Sequence, residues 1–352
     1  TLAALVPRRS AFVLLSAAIL LALGAASFER SRVFADPETL WRDTLRKNPG
    51  SWMAHNNLGT LLSSEGKTDE AIEHLRQALA LGGGLAGPAG ARIQHFNLAN
   101  ALRLEGDLPG AEREYRAALA IEPSDVRVMH NLAGTLLAAG RRDEAVALYE
   151  QVLRLDSAFA QAHYNLASAL ASGKDRDGAI LHARRAIEIE PRLADAHVLL
   201  GDLLQASRPD EAAREIDEAL RIDPGHARAL SRLAKRLSSQ GKPLEAIGAL
   251  REALRREPES VEALCGLAWL LTTGTDPSTR DAARAVALAE RARDLTFGRD
   301  AKVLFTLGTA YLEAGRTDDA VTTAQKGLQL VPDASPQAGG FRDLLSRCAR
   351  RP

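Results

Sequence analysis

Histidine is the residue type in this chain best suited to bind a metal ion, and four of the eight histidines recur in one sequence context. Each of the four lies three residues before a Leu-Gly or Leu-Ala pair: His55, His95, His163 and His197. If each belongs to a separate helical hairpin, neighbouring histidines lie about 10 Å apart at ordinary helix packing distances. One ion cannot gather ligands at that spacing. We therefore interpret the four histidines as structural residues at a helix contact and predict no metal site.

Adjacent carboxylates form a second group that could do chemistry, as a general acid and a general base. They recur along the chain as Asp69-Glu70, Asp143-Glu144, Asp210-Glu211 and Asp318-Asp319. A catalytic pair is not needed several times in one chain, whereas a carboxylate in the first turn of a helix is stabilised by the helix dipole in every copy. We therefore predict that these pairs mark the starts of helices.

Nucleophilic catalysis and phosphate binding have no support in the sequence. The serines and the two cysteines, Cys265 and Cys348, have no His and Asp partners in a fixed register. The glycine-rich stretch LGGGLAGPAG lacks the Gly-Lys-Ser/Thr ending of a phosphate loop. We predict that this chain has no catalytic residues and is not an enzyme, and that it needs no cofactor.

Asparagine recurs at one position in a way that calls for a physical reason. Four asparagines stand immediately before a leucine of the recurring pair: Asn57, Asn97, Asn131 and Asn165. Asparagine is a mediocre helix former, but its amide offers both a donor and an acceptor and can bond a peptide backbone whatever the side chains are. Two alternatives to peptide binding stay open: the asparagine was copied with its repeat, or it bonds a neighbouring helix.

The elements that position these residues are repeats of one helical hairpin. The leucine of the recurring pair appears eight times, and its four central copies are separated by 34 residues: Leu58, Leu98, Leu132, Leu166, Leu200, Leu233, Leu267 and Leu307. Thirteen residues after most of these leucines stands an alanine that opens the second helix: Ala71, Ala111, Ala145, Ala179, Ala246 and Ala320, with Ala212 one residue early. A second small residue follows seven later at Ala78, Ala118, Ala186, Ala219 and Ala253, and proline closes many units. Small residues at these points predict close helix contacts within each hairpin.

This pattern resembles the tetratricopeptide repeat family over roughly residues 35–333. The resemblance implies an all-α fold, a right-handed superhelix (α-solenoid) of about eight helix-turn-helix repeats. The family's tryptophan near the start of the first helix, helix A, is replaced here, mostly by histidine or leucine. We expect residues 1–34 to be a flank with a hydrophobic helix, 35–49 a half-repeat, 50–333 the solenoid, and 334–352 a polar capping helix with its tail.

The resemblance also implies that helix A of each hairpin lines a concave groove, and in the O-linked N-acetylglucosamine transferase type a similar asparagine column faces that groove. The predicted peptide-binding residues are Asn57, Asn97, Asn131 and Asn165, with Asn100, His130, Tyr164 and Ser168 beside them. The column breaks at Leu199, Arg232, Gly266 and Thr306. We therefore expect binding of a peptide backbone only in the amino-terminal half, and we expect alanine at the four asparagines to leave the fold intact.

Composition argues against nucleic acid as a partner. The 352 residues include 45 Lys and Arg and 45 Asp and Glu, so the net charge is zero. Aromatic residues make up 4% of the chain, and no aromatic ladder is interleaved with basic residues. A neutral chain is not drawn to phosphate backbones. The two cysteines are too far apart in sequence to indicate a disulfide framework.

Residues 11–28 are uncharged and apolar, at the lower limit of length for a membrane-spanning helix. A cleaved signal peptide and a buried helix are the alternatives. Arg8 and Arg9 before the span favour a cytoplasmic amino end and repeats on the extracytoplasmic, periplasmic side, although Arg30 and Arg32 behind it weaken that preference. We expect a membrane-bound chain with one visible span.

These observations predict a scaffold for protein-protein interaction that is tethered to a membrane and holds an extended peptide or partner segment in its groove. The junction between the apolar stretch and the first repeat also resembles bacterial multi-span proteins of the mannosyltransferase-like kind. That resemblance implies a non-catalytic arm of a glycosyltransferase whose catalytic spans precede residue 1. A third alternative is a secreted, soluble adaptor that remains after signal cleavage.

Overall fold

The computed structural model describes residues 18–23, 36–82, 84–173, 175–274 and 279–350. Their regular structure is helical, and no β-strand occurs in this part of the chain. Residues 18–23 are helical and are labelled α1. The helices that follow are α2 (Pro37–Lys47), α3 (Trp52–Ser64), α4 (Thr68–Gly82), α5 (Gly87–Glu105), α6 (Leu108–Ile121), α7 (Val126–Ala138), α8 (Arg142–Leu155), α9 (Ala160–Ala171), α10 (Arg176–Ile189), α11 (Ala194–Leu204), α12 (Pro209–Ile222), α13 (Ala227–Ser239), α14 (Pro243–Arg256), α15 (Val261–Thr273), α16 (Ala282–Leu295), α17 (Ala301–Glu313), α18 (Thr317–Gln329) and α19 (Pro336–Arg350).

The helices fall into two compact units, Thr1–Ala169 and Leu170–Pro352, and the boundary lies within α9. In the first unit, α3 packs on α4, α5 on α6, and α7 on α8, and each hairpin packs on the next through α4 with α5 and α6 with α7. The half-repeat helix α2 packs on α3. The odd-numbered helices α3, α5 and α7 are therefore the A helices of this unit.

The second unit repeats the same arrangement. Its hairpins pair α11 with α12, α13 with α14, α15 with α16, and α17 with α18, while α10 packs on α11 and α19 closes the stack against α18. Successive A helices also touch directly, α13 with α15, α15 with α17, and α17 with α19. The expectation of an all-α fold built from helix-turn-helix repeats is confirmed in both units.

Alanine lies at the points of closest helix contact, as the sequence predicted. Side chains at both small-residue positions have no exposed surface: Ala71, Ala78, Ala111, Ala118, Ala145, Ala179, Ala186, Ala212, Ala219, Ala246, Ala253 and Ala320. A buried methyl group with no rotamers to lose lets two helix backbones approach closely. Large side chains then fill the spaces between hairpins, among them the fully buried Tyr115 and Tyr149.

The turns within hairpins follow the predicted chemistry. Glycines with positive φ end the A helices at Gly66, Gly106, Gly140, Gly241 and Gly315, a conformation that glycine adopts without a Cβ clash. The predicted acidic pairs lie in the first turns of the second helices, B helices, for example Asp69 and Glu70 in α4. These carboxylates therefore stabilise helix starts.

Both ends of the repeat array pack as amphipathic single helices. In the half-repeat, Trp41 and Leu45 of α2 lie against buried Leu58 and Leu62 of α3. At the other end, α19 buries one face and exposes the rest. The predicted polar cap is therefore polar only on its outer side, and its inner side joins the core through Phe341, Leu344 and Cys348. The segment boundaries expected from the sequence stay predictions.

The predicted membrane span at residues 11–28 lies mostly outside the described residues. Within the described part of the chain, no helix combines the length and the apolar character that crossing a bilayer requires.

Replacing Ala118 with leucine should overpack the α5–α6 hairpin. The Ala118 side chain has no exposed surface, so three added carbons can fit only by pushing helices apart. We expect a loss of roughly 1–3 kcal/mol in the free energy of unfolding, measured by urea denaturation. Ala120→Leu, on the exposed side of the same helix, is the matched control and should change stability little. Equal losses from both variants would contradict the close-contact interpretation.

Candidate functional site

The predicted site residues lie on four successive A helices. Asn57 belongs to α3, Asn97 and Asn100 to α5, His130 and Asn131 to α7; Tyr164, Asn165 and Ser168 belong to α9. All eight side chains are half-buried. They are thus accessible in part, but they also contact their neighbours. Those contacts decide which of them can bind a partner.

Three of the four column asparagines bond the preceding A helix. The Asn97 amide donates to Asn56 Oδ1 at 3.0 Å, and the Asn131 amide donates to Asn100 Oδ1 at 3.0 Å. The Asn165 amide lies 3.2 Å from His130 Nε2, which accepts its hydrogen bond. We call this run of bonds between A helices the asparagine ladder. For these three asparagines, the structure thus shows one of the alternatives to peptide binding, a bond to a neighbouring helix.

Buried tyrosines of the B helices join the ladder. The Tyr115 hydroxyl donates to Asn100 Oδ1 at 2.5 Å, so Asn100 accepts from α6 and α7 together. Burial raises the pKa of Tyr149 to about 12, while a hydrogen bond with Asn165 opposes that shift. A buried hydroxyl without a partner is costly, and the ladder supplies the partner. Asn100 therefore has a structural role that its position beside the column did not reveal.

His130 has an aromatic environment. Its ring meets Tyr149 edge-on at 5.5 Å between centroids and lies 4.9 Å from the Phe159 ring. Burial lowers the pKa of His130, and Arg103 lowers it further. A neutral ring with Nε2 as acceptor agrees with the bond from Asn165.

An open groove lies beside the hydrogen bond from Asn97 to Asn56, the first bond of the asparagine ladder. We define the Asn57 groove as the cavity of about 570 Å³ on α2, α3 and α5. It is lined by Pro37, Trp41, Asn56, Asn57, Thr60, Leu61, Ser64, Ile93 and Asn97. Asn57 Oδ1 accepts from Asn56 at 3.3 Å. Among the described residues, Asn57 is the one column asparagine whose amide nitrogen donates to no protein acceptor, so it can bond a ligand in the groove.

Two of the recurring histidines, His55 and His197, connect the loop before helix A to helix B. His55 Nε2 donates to the Pro49 carbonyl at 3.0 Å, so its Nδ1 accepts from His74 Nδ1 at 2.9 Å while both rings are neutral. His197 Nε2 donates to the Pro191 carbonyl at 3.1 Å, and its Nδ1 lies 2.7 Å from the Glu215 carboxylate. Because both acceptors of His197 need a donor, that ring is fully satisfied only when protonated.

The other two recurring histidines have related contacts, His95 with Glu114 at 2.7 Å and His163 with the Ser157 carbonyl at 3.3 Å. Each histidine is held inside its own hairpin. In the described part of the chain, no group of three or more His, Cys, Asp or Glu side chains could hold a metal ion.

Sequence reasoning missed a second groove, which lies in the other unit around Trp269. This side chain is 40% exposed and stacks on Phe305 with 6.0 Å between ring centroids. A cavity of about 480 Å³ lies beside these rings. A sequence signal did exist, because the position two residues after the repeat leucine is small or polar in every other unit: Thr60, Asn100, Gly134, Ser168, Asp202, Lys235 and Thr309.

Acidification should lower the stability of the α3–α4 hairpin and raise that of the α11–α12 hairpin. Burial, together with the neighbouring His55, lowers the pKa of His74, although Glu70 opposes this shift. A lowered folded-state pKa means that α3–α4 loses stability as pH falls below about 6.5, the ordinary histidine value, towards the folded pKa. Burial disfavours the charged form of His197, but Glu215 and the Pro191 carbonyl outweigh it and raise the pKa. The stability that protonated His197 contributes to α11–α12 is fully present below about pH 6.5 and is lost as pH rises through the folded-state pKa.

Hydrogen exchange at several pH values, corrected for intrinsic rates, measures this difference. Protection of α3–α4 should fall on acidification and protection of α11–α12 should rise. His74→Gln should remove the fall in α3–α4, and Glu215→Gln should abolish or reverse the rise in α11–α12, because burial then opposes protonation of His197 without the carboxylate. A change of the same sign in both hairpins would contradict the assignment of protonation states.

Asn100 and Asn57 should differ in their effect on stability. Asn100→Ala removes the acceptor shared by Tyr115 and Asn131, so we expect a loss of roughly 1 kcal/mol in the free energy of unfolding. Asn57→Ala removes no bond between helices and should stay within about 0.5 kcal/mol. Urea denaturation of both variants tests this, and an Asn57→Ala variant as unstable as Asn100→Ala would place Asn57 in the ladder.

Comparisons with known proteins agree with this architecture. Two profiles of the tetratricopeptide repeat match the chain, one at residues 21–86, 57–126, 176–227, 231–274 and 278–338, the other at 102–163. No curated protein matches it.

Solved structures resemble the chain at the level of the fold. Pseudomonas aeruginosa pilF is 22% identical, with a TM-score of 0.50 over 60% of this chain and 94% of that chain. Yeast Tom70 is 18% identical, with a TM-score of 0.51 over 80% of this chain and 60% of that chain. MamA is 27% identical, with a TM-score of 0.40 over 47% of this chain and 97% of that chain. Because the repeat profiles cover more than half of the chain and the helices pair as successive hairpins, this chain belongs to the tetratricopeptide repeat family.

Proposed function

We propose that this chain is a scaffold that binds an extended segment of a partner protein in the Asn57 groove. The tetratricopeptide fold typically serves as a non-catalytic scaffold for protein-protein interaction, which supports a protein or peptide partner. The observation that carries the proposal is the free amide nitrogen of Asn57 in a groove of about 570 Å³ between A helices.

The groove combines the two kinds of contact that a peptide needs. Trp41, Leu61 and Ile93 offer apolar surface for side chains, while Asn57 and Asn97 offer amides for the backbone. An amide can donate to a peptide carbonyl and accept from a peptide N–H, so it does not select among side chains. The groove is therefore suited to an extended chain with one or two apolar residues.

The asparagine ladder prepares the groove for binding. The Asn97 amide donates a hydrogen bond to Asn56, which is itself 8% exposed. The Asn97 side chain is therefore ordered before any partner binds. Groups that are already ordered lose less conformational entropy on binding than mobile ones. The bonds of Asn131 and Asn165 to the neighbouring helices give them mainly a structural role in this proposal. We therefore limit the expectation that alanine leaves the fold intact to Asn57, because Asn97, Asn131 and Asn165 each bond the preceding A helix.

Substitution at Asn57 should weaken peptide binding without loss of stability. The probes are linear peptides selected on the wild-type chain from a displayed random library, then measured individually by fluorescence anisotropy. Asn57→Ala removes a bidentate contact of two hydrogen bonds, so the dissociation constant should rise about tenfold to thirtyfold. Asn57→Asp keeps the shape and one acceptor but removes the donor, and it should also weaken binding.

Gln151→Ala is the matched control, because Gln151 is exposed on the B helix α8 and lies outside the groove. It should bind the selected peptides as the wild type does. Unchanged affinity in both Asn57 variants would refute the groove, and so would a library that yields no binding peptide.

We further propose that residues 11–28 tether the repeats to a membrane, with the repeats on the extracytoplasmic side. The uncharged sequence of this stretch and the preceding Arg8 and Arg9 support this topology. Protease added to spheroplasts should then digest the repeats. Complete protection of the repeats, or a soluble product that begins near Ser27, would contradict the tether.

A further inference from the structure

The Trp269 groove is a second concave surface, on the A helices of the second unit, and it consists of two cavities that share one side chain. The first, of about 480 Å³, lies between α15, α17 and α19 and is lined mainly by Trp269, Phe305 and Phe341. The second, of about 400 Å³, lies between α13 and α15 and includes Ala234, Leu270 and Trp269 again. A ligand that covers Trp269 from both sides can therefore enter both cavities.

The aromatic side chains of the groove hold one another in place. Phe305 stacks on Trp269 at an interplanar angle of 28° and meets Phe341 edge-on at 5.5 Å and 84°. Phe341 is fully buried and Phe305 is half-buried, so the row of rings is anchored in the core. A Cβ at Gly340 would lie 3.2 Å from Phe305, so glycine leaves the space that this ring occupies.

The Trp269 ring is 40% exposed and is packed against other rings, so a binding partner can cover it at low entropic cost. The stacking contact with Phe305 restricts the rotamers of Trp269 in the free chain. Aromatic side chains in the centre of an apolar patch are also those whose truncation most often weakens protein interfaces. The first cavity is thus suited to one large apolar side chain.

Two lysines give the groove a positive rim. Lys302 lines the first cavity and Lys235 the second, and both side chains are exposed. Within the described residues, neither ammonium group forms an ion pair. Glu262 also lines the second cavity, but its carboxylate is paired with Arg232, which pairs with Asp202 as well. The nearby Asp300 carboxylate accepts from the backbone amides at the start of α17. Asp300 keeps its negative charge, but the ammonium groups of Lys235 and Lys302 are the cationic groups that line the two cavities and, in the part of the chain that the structure describes, have no carboxylate paired with them.

We infer that the Trp269 groove binds a linear segment of a partner protein that carries two large apolar side chains, with carboxylates flanking them. The apolar cavities recognise the two side chains, and Lys235 and Lys302 attract the carboxylates. Neighbouring A helices lie about 10 Å apart, and an extended chain advances about 3.3 Å per residue, so the two apolar residues are about three positions apart. This site is separate from the Asn57 groove and does not depend on it.

The test uses the whole chain and a synthetic peptide of about 12 residues, long enough to cross two cavities when extended. The peptide is acetylated and amidated at its ends and labelled with a fluorophore; it contains two leucines three positions apart, glutamates on both sides, and serines elsewhere. Fluorescence anisotropy should show binding that is lost when the leucines become serines. Trp269→Ala should weaken binding about thirtyfold, the effect expected for a central aromatic residue.

Charge reversal gives a second, independent readout. The double variant Lys235→Glu/Lys302→Glu alters only exposed side chains, so it remains informative if Trp269→Ala reduces stability. It should bind the glutamate peptide about tenfold more weakly and prefer a peptide with lysines in place of the glutamates. Phe297→Ser is the matched control, because Phe297 is an aromatic residue, 82% exposed, that does not line either cavity.

Several results would overturn the inference: unchanged affinity in Trp269→Ala, an equal loss in Phe297→Ser, or no binding by the peptide at about 1 mM. A wild-type dimer in sedimentation that Trp269→Ala abolishes would also overturn it, because the groove would then be covered by a second copy of this chain. If Asn57→Ala abolished binding of the glutamate peptide while Trp269→Ala bound it as the wild type does, the peptide site would be the Asn57 groove. That outcome would refute this inference and leave the proposed function intact.

Discussion

Close contact between helix backbones at alanine is the constraint on which the rest of this structure depends. Side chains such as Ala71, Ala118 and Ala145 have no exposed surface because the two helices of a hairpin meet there. A hairpin of two short helices cannot bury both of its apolar faces alone, so it packs against the next one. Fully buried leucine and tyrosine side chains fill the remaining spaces. Each unit is therefore stabilised by contacts within its hairpins and by contacts between neighbouring hairpins.

The same contact brings successive A helices together and decides what their polar residues can do. In the first unit, asparagines on adjacent A helices meet and bond one another, and the amide nitrogen of Asn57, on the first of these helices, stays available. In the second unit the corresponding positions hold Arg232, Gly266 and Thr306, and no asparagine ladder is possible. There the A helices present the Trp269 ring and lysines instead. Equivalent positions thus offer amide chemistry in one unit and apolar, basic chemistry in the other.

Much of this architecture could be predicted from spacing because each feature recurs. Recurring alanines and first-turn carboxylates predicted the hairpins, and the structure places them at helix contacts and helix starts. The position of the asparagine column was predictable, but its bonds were not. They join residues 31 to 41 positions apart on separate hairpins, and their geometry depends on how far one hairpin is shifted along the next. The Trp269 groove was missed because a tryptophan beside a repeat leucine resembles a core residue, although its position is polar or small in the other units.

Native-state hydrogen exchange along the whole chain, in increasing denaturant below the main transition, can show whether each hairpin is stabilised by its own contacts and by those with its immediate neighbours. We expect protection within each unit to be lost in steps, hairpin by hairpin, because each hairpin contacts only its neighbours. Simultaneous loss of protection in all hairpins of a unit, at one denaturant concentration and with one slope, would contradict it.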